Sequence, residues 1–430
     1  MRLAFVSPLP PAPTGIADYA AELVALLAPA HAIEVFHAQA AIDTRRLPKG
    51  VVAHPAAELV ARHRARPYDV TVYQMGNGRD HAFAYDLLAR VPGLLVLHDL
   101  VLFHSRAAAF LDSELVRAWR ANPASTAARD AARPALDAWR AELLYSYPAE
   151  GERLYEAQLG TVGELLPYAY PLVRIPIEAS RAVAVHSAFV AEAVKAEVPG
   201  AAVVQVPMPA SAVAVAPTAV RALRERLGIA ADDIVVGAFG LMTREKRIRS
   251  IARAVARAAA RDPRLRLLLV GPVPERAALD SELDALGTAP RTIVTGRVPF
   301  EDLPLYIEAA DLVAHLRYPT GRETSAALLR VLAQGRPTLV SDLAHQADLP
   351  EHAVRRIDLA VEEQELPHAL LELAASPEER RILGAAAAAH VRAAHGPAVV
   401  RSAWESALAI TRERPDPTPR DWPAHWLRQP

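Results

Sequence analysis

Two short, unbroken apolar runs, RLAFV (Arg2–Val6) and IVVGAF (Ile234–Phe239), each lead through a loop into a helical pattern, and they constrain the fold more than any other feature. A run this short without polar alternation must be covered on both faces, which is the situation of a parallel strand between helices. Similar runs follow the first at Ile33–His37, Val70–Gln74, Leu94–Leu97 and Ala182–Val185. Others follow the second at Leu267–Val270, Thr292–Thr295, Leu312–Leu316 and Thr338–Val340. The expected class is therefore α/β, with two Rossmann-like, doubly wound parallel-sheet domains. Pro207–Pro217 (PMPASAVAVAP) carries three prolines and reads as the linker between them. The expected boundaries are 1–210 for the first domain, with a helical insert at about 105–175 broken by prolines, and 218–400 for the second. A C-terminal helix and tail fill 401–430, with Trp422 and Trp426 expected to fold back on the first domain. The strand carboxyl ends of both domains are expected to line a cleft.

At 430 residues the chain can bury two or three cores. Its 48 Lys+Arg and 49 Asp+Glu leave a net charge of −1, too little to draw it to a phosphate backbone, so nucleic acid is not an expected partner. The absence of cysteine excludes disulfides, thiolate nucleophiles and thiolate metal centres. No apolar stretch reaches the roughly 18 residues of a membrane helix, and the first apolar run is too short for a secretion signal. The expected location is cytoplasmic. A peripheral contact with the inner face of a membrane stays open through the arginine-bearing helices between Arg106 and Arg140. The sequence leaves oligomeric state undetermined. Dinucleotide fingerprints, phosphate-binding P-loops and nucleophile elbows are all missing.

Four segments carry chemistry. In YPTGRETSAALLRVLAQGRP (318–337), Thr324 or Ser325 caps a helix beginning near Ala326 and stopped by Gly335, at the end of the strand Leu312–Leu316. Such a helix start offers free N–H groups to an anion, reinforced here by Arg317 and Arg322, while Glu323 suits sugar hydroxyls. In FGLMTREKR (239–247), Lys246 opens the helix after the strand, with Gly240 and Arg244 in the same loop. A lysine there can neutralise a departing diphosphate, and it stands out because Lys49 and Lys195 are the only other lysines. In SPLPPAPTGIADY (7–19), Gly15 permits a close backbone approach between strand and helix. In YQMGNGRDHAF (73–83) and GLLVLHDLVLFH (93–104), His98 and Asp99 emerge at a strand end, with Asn77, His81 and His104 along the same wall. A metal is not expected there, because the H-x-x-x-H helical spacing is missing. Plain helix capping, a solvated first turn and histidines satisfied by backbone are the structural alternatives for these segments.

Together with VAVHSAF (183–189) and TGRVPFEDLPLYIEAADLVAHLRYPTGRETSAALLRVLAQGRP (295–337), these segments resemble the retaining GT-B glycosyltransferases of family 4 (glycosyl transferase group 1), in a subgroup with a GETSG-like phrase. The resemblance implies a nucleotide-diphosphate sugar as donor, held by the second domain, an acceptor held by the first, and no cofactor or metal. It implies that Lys246 meets the donor diphosphate, Glu323 the transferred sugar, and the backbone at Ser325 and Ala326 the distal phosphate. His98 lies near the sugar, Gly15 in the first-domain glycine loop, and Arg297 and Val298 near the base. Leu241 replaces the arginine that usually precedes the lysine, a charge that Arg244 or Arg317 can supply. Arg330, or Val331, replaces the second acid of the family's glutamate pair, which usually holds the ribose. The implied reaction is metal-independent transfer with retention to an unidentified glycan, lipid-linked or small-molecule acceptor. A sugar-nucleotide epimerase, a phosphorolytic enzyme and a non-catalytic sugar-nucleotide binder are the rival readings.

Overall fold

The computed structural model describes residues 1–160, 165–418 and 420–426. Thus 161–164 of the expected insert, and 419 and 427–430 of the tail, lie outside the described residues. The chain divides into two compact units. The first comprises Met1–Pro207, Gly321–Thr324 and Val400–Pro430, and the second comprises Met208–Thr320 and Ser325–Val399.

In the first unit seven strands form one parallel sheet: β1 (Arg2–Val6), β2 (Ala32–His37), β3 (Val52–Pro55), β4 (Val70–Met75), β5 (Leu94–Leu97), β6 (Ala182–Val185) and β7 (Val203–Gln205). Their order is β3-β2-β1-β4-β5-β6-β7. The second unit holds β8 (Ile234–Phe239), β9 (Leu265–Val270), β10 (Thr292–Gly296), β11 (Leu312–His315), β12 (Thr338–Ser341) and β13 (Arg355–Ile357), ordered β10-β9-β8-β11-β12-β13 and also parallel. Both sheets reverse winding direction once, between β1 and β4 and between β8 and β11. Such a reversal leaves a crevice at the carboxyl ends of the two neighbouring strands, where doubly wound sheets bind ligands.

Every residue of β4 and of β8 is buried, as the unbroken apolar runs require. The helix Ile248–Ala259 covers one side of β8 and β9. It buries Ile248, Ile251, Ala252, Val255 and Ala258 at three- and four-residue spacing. On its opposite face Arg249 and Arg253 pair with Glu282, and Arg257 pairs with Glu363. Three strands escape the sequence reading: β3 (VAHP), β7 (VVQ) and β13 (RRI). Each sits at a sheet edge, where one flank is wet and no continuous apolar run is needed.

The insert is a series of helices, Phe103–Leu111, Glu114–Ala121, Thr126–Ser146, Gly151–Leu159 and Leu166–Ala169, around Trp139, which meets Phe103 edge-to-face with ring centroids 5.3 Å apart. Pro134 does not break this stretch as expected, but lies inside the helix Thr126–Ser146. The tail is fastened by its indoles. Trp422 donates to Glu178 Oε2 at 3.0 Å, and Trp426 donates to Glu142 Oε1. Arg106, counted above with the lipid-facing arginines, is instead buried against Glu142, with its guanidinium 4.3 Å from the Tyr85 ring centre. Arg140 pairs with Glu152 on the surface. Among the described residues no helix is long and apolar enough to cross a membrane.

Burial alone would raise the Glu142 carboxyl, but Arg106 and the His425 hydrogen bond outweigh it and hold the group at about 2. A folded value below the unfolded one means that this stabilisation is complete above the ordinary carboxylate range and is lost as pH falls through about 2. Arg106→Ala strands the buried carboxylate and is expected to cost about 3–5 kcal/mol, read by urea denaturation at neutral pH.

Candidate active site

The switch-point end of the second sheet gathers the positive charge. After β8 the chain turns at Gly240, which has φ +106°, and runs through a single 3-10 turn, Arg244–Lys246. The α-helix begins only at Ile248, so Lys246 precedes it rather than opening it as expected. Arg247 takes a left-handed conformation at φ +53° and grips the buried Glu362 with two hydrogen bonds, of 2.6 and 2.8 Å, which anchors this corner.

That anchorage turns the Lys246 side chain back over the strand end. Its ammonium donates to the Phe239 carbonyl at 2.9 Å. Among the described residues this is its sole hydrogen bond, and it forms no ion pair. An ammonium has three donors, so two remain for a ligand. Desolvation first, and then the charge of Arg317, push its pKa well below the usual lysine range. Gly240 makes room for it: a Cβ there would stand 2.5 Å from Lys246 Nζ. Gly240→Ala therefore combines strained backbone with displacement of the ammonium, and is expected to cost about 1–3 kcal/mol in thermal or chemical denaturation.

Neighbouring β11 supplies the second cation. Arg317 donates from Nη2 to Ser325 Oγ at 3.2 Å and from Nε to His315 Nε2 at 3.3 Å, while its backbone N–H bonds Ser341 Oγ at 3.0 Å. Ser325, not Thr324, caps the helix Ala326–Ala333, accepting from Leu328 N at 3.3 Å. Arg317 thus binds the capping serine and acts electrostatically on Lys246, so Lys246, Arg317 and Ser325 form one group. Ala326 is the first helical residue beyond it.

The first unit gathers a different set. Asn77 serves the fold: its Oδ1 accepts from the backbone of His104 and Ser105, starting the helix Phe103–Leu111, and its Nδ2 lies 2.7 Å from His104 Nδ1. Asp99 accepts from the Asn77 N–H at 2.9 Å. Gly321, Glu323 and Thr324 belong to this unit. The Gly321 carbonyl accepts from Leu100 N at 2.9 Å, and a Cβ on Gly321 would lie 3.3 Å from Asp99 Oδ1 and 3.4 Å from Glu323 Oε2. The two carboxylates therefore flank the same glycine.

Other expectations need correcting. His98 is buried, and both of its ring nitrogens have protein partners, Nε2 with Gln74 Oε1 at 2.6 Å and Nδ1 with His186 Nε2 at 3.2 Å. Burial and the neighbouring His186 and His81 keep its pKa well below the ordinary histidine range. His98 is therefore a neutral ring locked into the unit, not a side chain presenting a nitrogen to a sugar. His81 is buried too, donating from Nδ1 to the Gln74 carbonyl at 3.0 Å. Gly15 makes no tight approach: it opens the helix Gly15–Leu27, is exposed, and has no protein atom within 4 Å of a Cβ position. Thr14, which caps that helix by accepting from Ala17 N at 3.0 Å, does the local work.

Arg244 and Arg297 are exposed, and Val298 packs against the core formed by Val235, Phe239 and Ile307. Arg330 lies over the Phe300 ring, 4.8 Å from its centre. The sequence reading missed His315, Ser341, Gln74 and His186.

Residues 233–376, from β8 to the helix Glu362–Ala375, match the family described as Glycosyl transferases group 1. The chain has the two-domain GT-B fold, and its second unit carries the match to group 1 glycosyl transferases. No curated protein matches the chain. Among solved structures it is similar to HepE of Anabaena in complex with UDP and glucose, with 16% identity, coverage of 95% of this chain and 99% of that one, and a TM-score of 0.62. It is similar also to sucrose-phosphate synthase from Thermosynechococcus elongatus, with 17% identity, 95% and 96% coverage, and a TM-score of 0.62. A third is WaaG, a glycosyltransferase involved in lipopolysaccharide biosynthesis, with 14% identity, 95% and 99% coverage, and a TM-score of 0.60.

Proposed function

We propose that the chain is a glycosyltransferase that moves a sugar from a nucleoside-diphosphate sugar to an acceptor hydroxyl, with retention of configuration and without a metal. The observation that carries the reading is the pairing of two cations, Lys246 and Arg317, beside the capped helix start at Ser325, on the switch point of the second sheet. Two basic side chains beside the free N–H groups of a helix start suit a diphosphate, which supplies the matching charge. The match of this unit to group 1 glycosyl transferases, and the UDP bound in the HepE structures, support a nucleotide-sugar donor.

In the proposed reaction the bond between the anomeric carbon and the diphosphate oxygen breaks. Lys246, Arg317 and the N–H groups at Ala326 stabilise the charge that develops on that oxygen. The carboxylates of Asp99 and Glu323 hold sugar or acceptor hydroxyls. The acceptor attacks from the face the diphosphate leaves, giving its proton to the departing oxygen. Phosphate-side cations then perform the task that a divalent ion performs in other transferases. Membership of family 4 and of its GETSG-like subgroup, through Glu323–Ala326, belongs to the same proposal. Arg297 and Val298 by the base, and Arg330 by the ribose, are its nucleotide contacts.

The test is a panel of nucleotide sugars incubated with the purified chain, with and without EDTA, and with mixed acceptors. The expected result is an acceptor-dependent product whose anomeric proton matches that of the donor by NMR, in either buffer. Conversion of donor alone into an epimer, an inverted product, or activity abolished by EDTA overturns the corresponding part.

A further inference from the structure

His315 ends β11 in a buried position, and Arg317 follows two residues later, just beyond the strand. The contact between them is directional. A guanidinium only donates, so the 3.3 Å approach of Arg317 Nε to His315 Nε2 requires an imidazole with an unprotonated Nε2 and its hydrogen on Nδ1. Burial, Arg317 and Lys246 all push His315 away from the charged state, so the acceptor form is the one the site holds. With Nε committed to His315 and the backbone N–H committed to Ser341 Oγ, the guanidinium plane is fixed, and its Nη2 faces the Ser325 hydroxyl at the helix start.

We infer that His315 is a positioning residue for the donor diphosphate: it holds Arg317 in the orientation that lets Arg317 and Lys246 serve one anion. This rests on the donor reading above. A histidine suits the task because its ring is rigid and presents one acceptor at a fixed angle. Without that acceptor the Nε–H loses the contact that sets the plane of the guanidinium.

UDP binding by calorimetry tests the inference without needing the sugar or the acceptor. His315→Leu is expected to weaken UDP by about 10–100-fold, the effect of losing a hydrogen bond to a charged group. Arg317→Lys keeps the charge but has no Nε–H, and is expected to show a similar loss. The double variant should bind no worse than the weaker single one, because both changes break the same contact. His315→Gln returns an acceptor and is expected to recover part of the affinity. Melting temperature is read for each variant, and Arg317→Lys covers the case in which His315→Leu folds poorly. A folded His315→Leu protein that binds UDP like the parent, or losses that add in the double variant, overturn the positioning role alone. A parent protein that binds neither UDP nor inorganic pyrophosphate overturns the donor reading, and the positioning role with it.

Discussion

Lys246→Ala is expected to lower kcat/KM by on the order of 10²-fold or more while leaving the folded protein no less stable. The first half follows from where the ammonium stands. It has one backbone hydrogen bond, to Phe239, and in the proposed reaction its remaining N–H groups meet the leaving oxygen; removing one such donor costs this much in other enzymes. The second half separates a catalytic role from a structural one. A structural lysine loses stability when truncated. Lys246 sits desolvated beside Arg317, so folding either buries its charge or strips its proton, and alanine removes that cost. Initial-rate kinetics with the donor found in the panel, together with thermal melts, check both. Unchanged kcat/KM removes Lys246 from the mechanism; a sharply lowered Tm makes its role architectural.

The two sheets were legible because the central strands carry their whole message locally. IVVGAF and VTVYQ have no wet face, and nothing but a covered parallel strand accommodates them. The edge strands β3, β7 and β13 are defined by a neighbour on one flank, and RRI or VAHP has no local signature of that. Within the site, the Lys246 loop and the Ser325 cap were legible as local motifs, since a glycine turn after a strand and a serine before a helix each act over a few residues. What was hidden is long-range. The Asn77 amide looked like a ligand-binding group because the sequence does not show that the start of the helix Phe103–Leu111, well over twenty residues away, takes its oxygen. His98 looked accessible because Gln74 and His186 lie on neighbouring strands' ends, and only the sheet order brings them to it. Gly321–Thr324 fall between two stretches of the second unit along the chain yet pack with the first, which no linear boundary expresses.

Nucleotide binding is expected to take up a proton and to weaken as pH rises, and the sign follows from Lys246. In the free protein, desolvation and Arg317 depress its pKa, so on the alkaline side of that depressed value the amine is largely neutral. A bound diphosphate favours the charged form and moves the pKa back up. Binding therefore captures one proton between the depressed and the restored values, and affinity falls by up to about tenfold per pH unit across that window. Below the depressed value the lysine is charged in both states and contributes no pH dependence. The charged and titratable groups facing it are Arg317, which stays protonated, and His315, which burial, Arg317 and Lys246 keep neutral, so neither titrates in the same window. Calorimetry of UDP binding in buffers of different ionisation enthalpy, above about pH 7 where the terminal phosphate is already ionised, reads the uptake directly. The parent is expected to take up a proton on binding UDP in the window above the depressed value, and Lys246→Met none. Equal uptake in the two proteins would assign the proton to another group. No uptake in either, up to the ordinary lysine range, would mean that the ammonium stays charged in the empty site, and the argument from desolvation would fall.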